Sequence, residues 1–106
     1  MHQDLSPGND LAALISRLVA AVSPDRILLF GSRATGTARP DSDIDLLVVL
    51  PEAVTTDARR RAWHAVSFSE TPVDLVIVSA GFVERFRDVV GTVAYEAVHH
   101  GQVIHG

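Results

Sequence analysis

The chain has 106 residues, nine of them basic and thirteen acidic, for a formal net charge of −4. That length holds one domain with one core, and so acidic a chain is a poor partner for a phosphate backbone, so direct nucleic-acid binding is not expected. Cysteine is absent, which excludes a disulfide framework and thiolate metal sites, and a hydrophobic content of 47% fits a packed fold rather than disorder.

The opening MHQDLSPGND is polar and acidic and does not read as a secretory leader. Asn9 or Asp10 is expected to cap a helix whose apolar positions, from Leu11 through Leu14, Ile15, Leu18, Val19 and Val22, follow the spacing of one buried face. Ser23-Pro24-Asp25 stops it, and RILLF at 26–30, ending in glycine, reads as a strand. The loop 33–42 holds the turn formers Gly36, Pro40, Asp41 and Ser42.

DIDLLVVL at 43–50 is the second expected strand, closed by Pro51. Its LLVVL run is far shorter than the roughly 20 residues of a membrane span, so a cytoplasmic protein is expected. Residues 52–69 are expected to be helical, and PVDLVIVS at 72–79 is a third strand. A helix between two aliphatic strands predicts a crossover and a parallel pair. Short helices near 82–90 and 93–100 follow, and after Gly101 the segment QVIH reads as a last strand. The order predicts one α/β domain over 1–106, a small mixed sheet flanked by helices.

Asp43 and Asp45 interrupt a strand that otherwise reads as buried, and Asp74 does the same in the next strand. Side chains two apart on a strand share a face, with Cα atoms about 6.6 Å apart, so both carboxylates can reach shared cations. Taken singly, each aspartate has a commoner role: Asp43 capping a turn, Asp45 paired with an arginine, Asp74 at an exposed edge. Three acids at the starts of adjacent strands would repel one another without a counter-ion. An oxygen-only set suits Mg²⁺, which takes one or two carboxylates and completes its shell with phosphates and water. Gly31-Ser32, directly after a strand, lets backbone approach a ligand closely. If residues 32–36 open a short helix, its amides suit phosphate oxygens, with the Ser32 hydroxyl and the Arg33 guanidinium beside them.

Residues 31–48, GSRATGTARPDSDIDLLV, resemble the signature of the polymerase-β-type nucleotidyltransferases: G-S, a spacer of about ten residues, then D-x-D. More narrowly, the chain resembles the minimal nucleotidyltransferases, the MNT antitoxins encoded beside a HEPN-domain toxin. The likeness in plan covers nearly the whole chain. It implies the nucleotidyltransferase fold, with Gly31 and Ser32 as the phosphate-binding pair and Asp43, Asp45 and Asp74 as catalytic carboxylates that hold two Mg²⁺ ions. It also implies ATP as substrate and attack of an acceptor hydroxyl on the α-phosphate, with Asp74 or metal-bound water taking the proton. Members of the family often carry a second arginine where this chain has Thr35, and an aromatic where it has His105. Larger relatives add an acceptor-binding domain, for which this chain has no residues to spare. The acceptor is therefore expected on another molecule: a tyrosine of a HEPN toxin, in a hetero-oligomer. The alternatives are an antitoxin that neutralises by docking alone, or a small-molecule adenylyltransferase assembled from subunits.

Other residues carry blander expectations. Arg59, Arg60 and Arg61 read as a solvated helix face. Val54, Ala58, Ala62 and Ala65 share one side of that helix, so Trp63 is either an exposed partner contact beside Arg59 or, with a slipped register, a core residue. His99 and His100 diverge on a helix and, with His105, read as surface residues. Tyr95 reads as core or interface, and Phe82 and Phe86 as packing their helix onto the sheet.

Overall fold

The computed structural model describes residues 7–37 and 42–106, with side chains from Leu11 onward. Helix α1 (Pro7–Val22) begins before Asn9 and Asp10, which therefore lie in its first turn rather than at its cap. Proline is well suited to open a helix, since the amide it lacks would have no partner there. The expected stripe is buried, with Leu14 and Leu18 fully enclosed. The helix stops at Ser23, whose amide donates to the Val19 carbonyl (3.0 Å) and whose φ of 46° is left-handed. Pro24 then bars further helix.

Strand β1 (Arg26–Phe30), the single-turn helix α2 (Ser32–Thr35) and strand β2 (Ile44–Leu50) follow. Helix α3 (Thr56–Ala65), strand β3 (Val73–Ser79), helices α4 (Ala80–Phe86) and α5 (Val93–His100) and strand β4 (Gln102–His105) complete the chain. Three hydroxyls set the helix starts: Thr55, Ser79 and Thr92 accept from the amides of Ala58, Phe82 and Tyr95. These caps explain why α3 starts at Thr56 rather than residue 52 and why α4 starts at Ala80 rather than 82; α3 ends at Ala65 and α4 at Phe86, short of the expected 69 and 90. No described helix is long and apolar enough to cross a membrane.

The four strands form one mixed sheet in the order β3-β2-β1-β4. β1 is antiparallel to β2 and to β4, and β2 is parallel to β3, as the helical crossover through α3 requires. Gly101 turns the chain from α5 into β4 where a Cβ would sit 2.4 Å from the Ala97 carbonyl oxygen and 2.6 Å from that of Leu29, so only glycine fits.

Alternation along the strands divides the core in two. Ile44, Leu46, Val48 and Leu50 of β2 face α1 and α3, packing with Leu14, Leu18, Ala58 and Ala62. Leu47 and Val49 face α4 and α5, packing with Leu28, Val83 and Ala97. The buried contact of α4 is thus Val83. Phe82 and Phe86, expected to face the sheet, are half-buried and lie against each other with ring centroids 4.8 Å apart. Trp63 is 45% exposed, which resolves its two readings in favour of the surface.

Candidate active site

The polar end of the sheet is built around Gly31. Its φ of 75° and ψ of −157° suit glycine, and a Cβ there would lie 2.3 Å from Asp45 Oδ2. Glycine after β1 is therefore required twice, by backbone conformation and by the carboxylate that occupies the space of a side chain. The Gly31 carbonyl accepts from the amides of Ala34 (3.1 Å) and Thr35 (3.3 Å), which starts α2. Gly36 closes the turn in a left-handed conformation, its amide donating to the Ser32 carbonyl. The first amides of such a turn, at Ser32 and Arg33, have no partner within the helix and suit an anion.

Thr35, standing where relatives often have arginine, uses its hydroxyl locally, 3.4 Å from the carbonyls of Gly31 and of Ser32. Gln102 reaches the same turn from β4, its Nε2 donating to the Ala34 carbonyl at 3.5 Å. Nothing in the local sequence signals that contact, because it joins residues far apart in the chain.

Asp45 sits on β2 opposite Phe30 of β1 and in register with Asp74 of β3. Both acids belong to the strand face that carries Leu47 and Val49. Neighbouring strands lie about 4.8 Å apart, so this pairing sets two carboxylates side by side. Asp43 immediately precedes β2, exposed at the strand's entry rather than inside it. Asp45 is half-buried and Asp74 exposed. Burial pushes the Asp45 carboxyl above its ordinary value of 3.8, and the charges of Asp74 and Asp43 push the same way, while Arg33 opposes them.

Arg33 is anchored on backbone. Its Nε lies 3.1 Å from the Ser42 carbonyl and 3.2 Å from that of Asp43, and its Nη2 also donates to Ser42. The guanidinium thus ties α2 to the entry of β2 and fixes the backbone from which Asp43 projects. Pro40 and Asp41, expected turn formers of this loop, lie outside the described residues.

Among the described residues, no three histidine, aspartate or glutamate side chains converge into a ready cage for a metal ion. The donor chemistry nevertheless fits Mg²⁺, which uses one or two protein carboxylates and takes its remaining oxygens from phosphate and water. Burial first, and then the charges of Asp74 and Asp43, disfavour the ionised Asp45 carboxylate, and a bound cation would offset both. His99 is engaged elsewhere: exposed, it pairs with Asp88 (3.0 Å) and stacks on Tyr95, ring centroids 4.3 Å apart.

The sequence profile of the nucleotidyltransferase domain family matches residues 11–103, nearly the whole chain. No curated protein matches significantly. Among solved structures, a chain of a toxin–antitoxin complex with AMP-PNP shares 25% identity over 95% of this chain and 74% of its own, with a TM-score of 0.63. A chain of the toxin–antitoxin complex MntA-HpeT carrying a tyrosine-to-alanine substitution shares 25% identity over 95% of this chain and 73% of its own, with a TM-score of 0.60. The chain thus belongs to the nucleotidyltransferase domain family, as a minimal nucleotidyltransferase with the fold of these toxin–antitoxin proteins.

Proposed function

We propose that the chain is an antitoxin that transfers AMP from ATP to a hydroxyl, the acceptor being a tyrosine of a HEPN-domain toxin in the cytoplasm. The observation that carries this reading is the register of Asp45 against Asp74, beside a Gly31 whose side-chain space the Asp45 carboxylate fills. The nucleotide and the toxin are supported by the structural neighbours, one crystallised as a toxin–antitoxin complex with AMP-PNP. We take residues 1–106 as one nucleotidyltransferase domain, with the acceptor brought by the partner.

Gly31 and the amides of Ser32 and Arg33 receive the phosphate oxygens, and the Ser32 hydroxyl donates to them. Arg33 contributes through backbone, keeping Asp43 at the strand entry. Asp43, Asp45 and Asp74 would hold two Mg²⁺ ions, which neutralise triphosphate charge and acidify the acceptor hydroxyl. Asp74, exposed at the edge of β3, accepts the acceptor's proton. The acceptor oxygen bonds to the α-phosphorus as the bond to the α–β bridging oxygen breaks, and pyrophosphate leaves.

The test is to incubate the protein with labelled ATP, Mg²⁺ and the product of the adjoining gene, then to read the intact mass of both proteins. A gain of one or more AMP masses on the partner, absent with Asp43→Ala/Asp45→Ala, is expected. A tight complex with no mass change would replace this reading with neutralisation by docking, and label on a small molecule would replace it with a subunit-assembled adenylyltransferase.

A further inference from the structure

On the sheet face opposite the carboxylates, α1 and α3 pack side by side and leave an open groove of about 640 Å³ along their outer surface. Its walls are Arg17, Arg60, Arg61 and His64, above a floor that includes Ala20 and Ala65, and among the described residues no acidic one lines it. The arginines are held rather than loose. Arg17 lies over the Phe68 ring, 4.2 Å from its centroid. Arg61 donates from Nε to Asp57 (2.9 Å) and from Nη1 to the Ala21 carbonyl, and Arg60 pairs with the same aspartate. One carboxylate against three guanidinium groups leaves the groove cationic on a chain whose formal charge is −4.

Two further features raise this face above an ordinary solvated helix surface. Trp63, 45% exposed, stands on the shoulder of α3 beside Arg59 and Arg60, and Phe68 is 40% exposed beneath Arg17. Arginine and tryptophan are the side chains most often found at the energetic centre of interfaces. Cations already fixed by local contacts lose little freedom on binding. A floor of alanines lets a partner's backbone come close.

We propose that the α1–α3 groove docks an acidic segment of the partner polypeptide, leaving the carboxylate site on the other face of the sheet open. The groove's net charge selects acid, and its openness suits a peptide segment rather than an enclosed small molecule. Asp57, paired with two of its arginines, and the acidic chain around it disfavour a nucleic-acid backbone. The proposal rests on the reading of the chain as one half of a toxin–antitoxin pair. It adds that holding the partner and modifying it are done by different surfaces and are separable by mutation.

The test is calorimetric titration of the adjoining gene's product into wild-type protein, Arg17→Glu/Arg60→Glu, Trp63→Ala and Asp45→Asn, at low and high salt. The groove is supported if charge reversal weakens binding by roughly tenfold or more, with a steep salt dependence in the wild type, while Asp45→Asn binds as wild type does. ATP-dependent thermal stabilisation, unchanged in the arginine variant, shows that it is folded. Affinity within twofold after charge reversal overturns the proposal. If the gene product binds neither protein, the toxin–antitoxin reading has failed, and a fluorescein-labelled glutamate-rich peptide then tests the groove alone: binding lost on charge reversal supports it, and no binding overturns it. Displacement of that peptide by a short RNA at lower concentration than by unlabelled peptide also overturns it, in favour of a nucleic-acid surface.

Discussion

Leu46 and Asp45 are neighbours on β2, yet Leu46 is fully enclosed between the sheet and the α1–α3 layer whereas Asp45 is half-buried beside Asp74. The strand serves both because its side chains alternate: the face of Leu46 and Val48 secures the fold, and at its first residues the other face carries charge. On that face Leu47 and Val49 are fully enclosed while Asp45 is only half-buried, so the strand holds a carboxylate without sealing it from solvent. A rigid, deeply packed strand thereby fixes the position of a group that weakens the empty protein. Stability and site are built from consecutive residues and oppose each other.

Substitutions on either face test that opposition. The largest effect on folding is expected from Leu46→Ala, which empties part of a fully buried position and should cost about 2–5 kcal/mol in denaturant unfolding. A loss below 1 kcal/mol, on the order of a surface substitution, would mean the α1–α3 layer is not the main core. Gly31→Ala comes next. Its Cβ would meet the Asp45 carboxylate at 2.3 Å, at a φ of 75°, so a loss of roughly 1–3 kcal/mol should accompany loss of ATP-dependent thermal stabilisation. Retention of both would show that the turn relaxes without consequence.

The smallest change, and the most telling in sign, is expected from Asp45→Asn. The folded-state pKa of Asp45 is raised above its ordinary 3.8, so the fold binds this proton more tightly than the unfolded chain does. Its contribution to stability is complete below that ordinary value and is lost as pH rises through the raised one. In chelator at neutral pH, Asp45→Asn should therefore melt above wild type, with the gap closing toward pH 3.8. Mg²⁺ with ATP should stabilise the wild type alone. A variant that melts lower than wild type at neutral pH would show that burial and the neighbouring acids do not disfavour the ionised Asp45 carboxylate.

Much of this arrangement is legible in the sequence. Aliphatic runs bounded by proline and glycine located all four strands, and an odd–even count placed Asp45 on the face of Leu47 and Val49. The spacing from Gly31-Ser32 to the aspartates carried the family resemblance. Helix ends were less legible. Thr55, Ser79 and Thr92 each compete with neighbouring polar residues as caps, and only the hydrogen bonds made in the fold select among them.

The site's geometry was decided further out. Sequence placed acids near the starts of two strands, but the in-register pairing of Asp45 with Asp74 is a property of the β2–β3 ladder. The same holds for the Asp45 carboxylate in the space beside Gly31, for Arg33 engaged by the carbonyls of Ser42 and Asp43, and for the Arg17 and Arg60 walls of one groove. Periodicity and turn chemistry act over a few residues, and a sequence displays them directly. Contacts between distant segments depend on how helices and strands stack, which the chain settles only by burying its whole core at once.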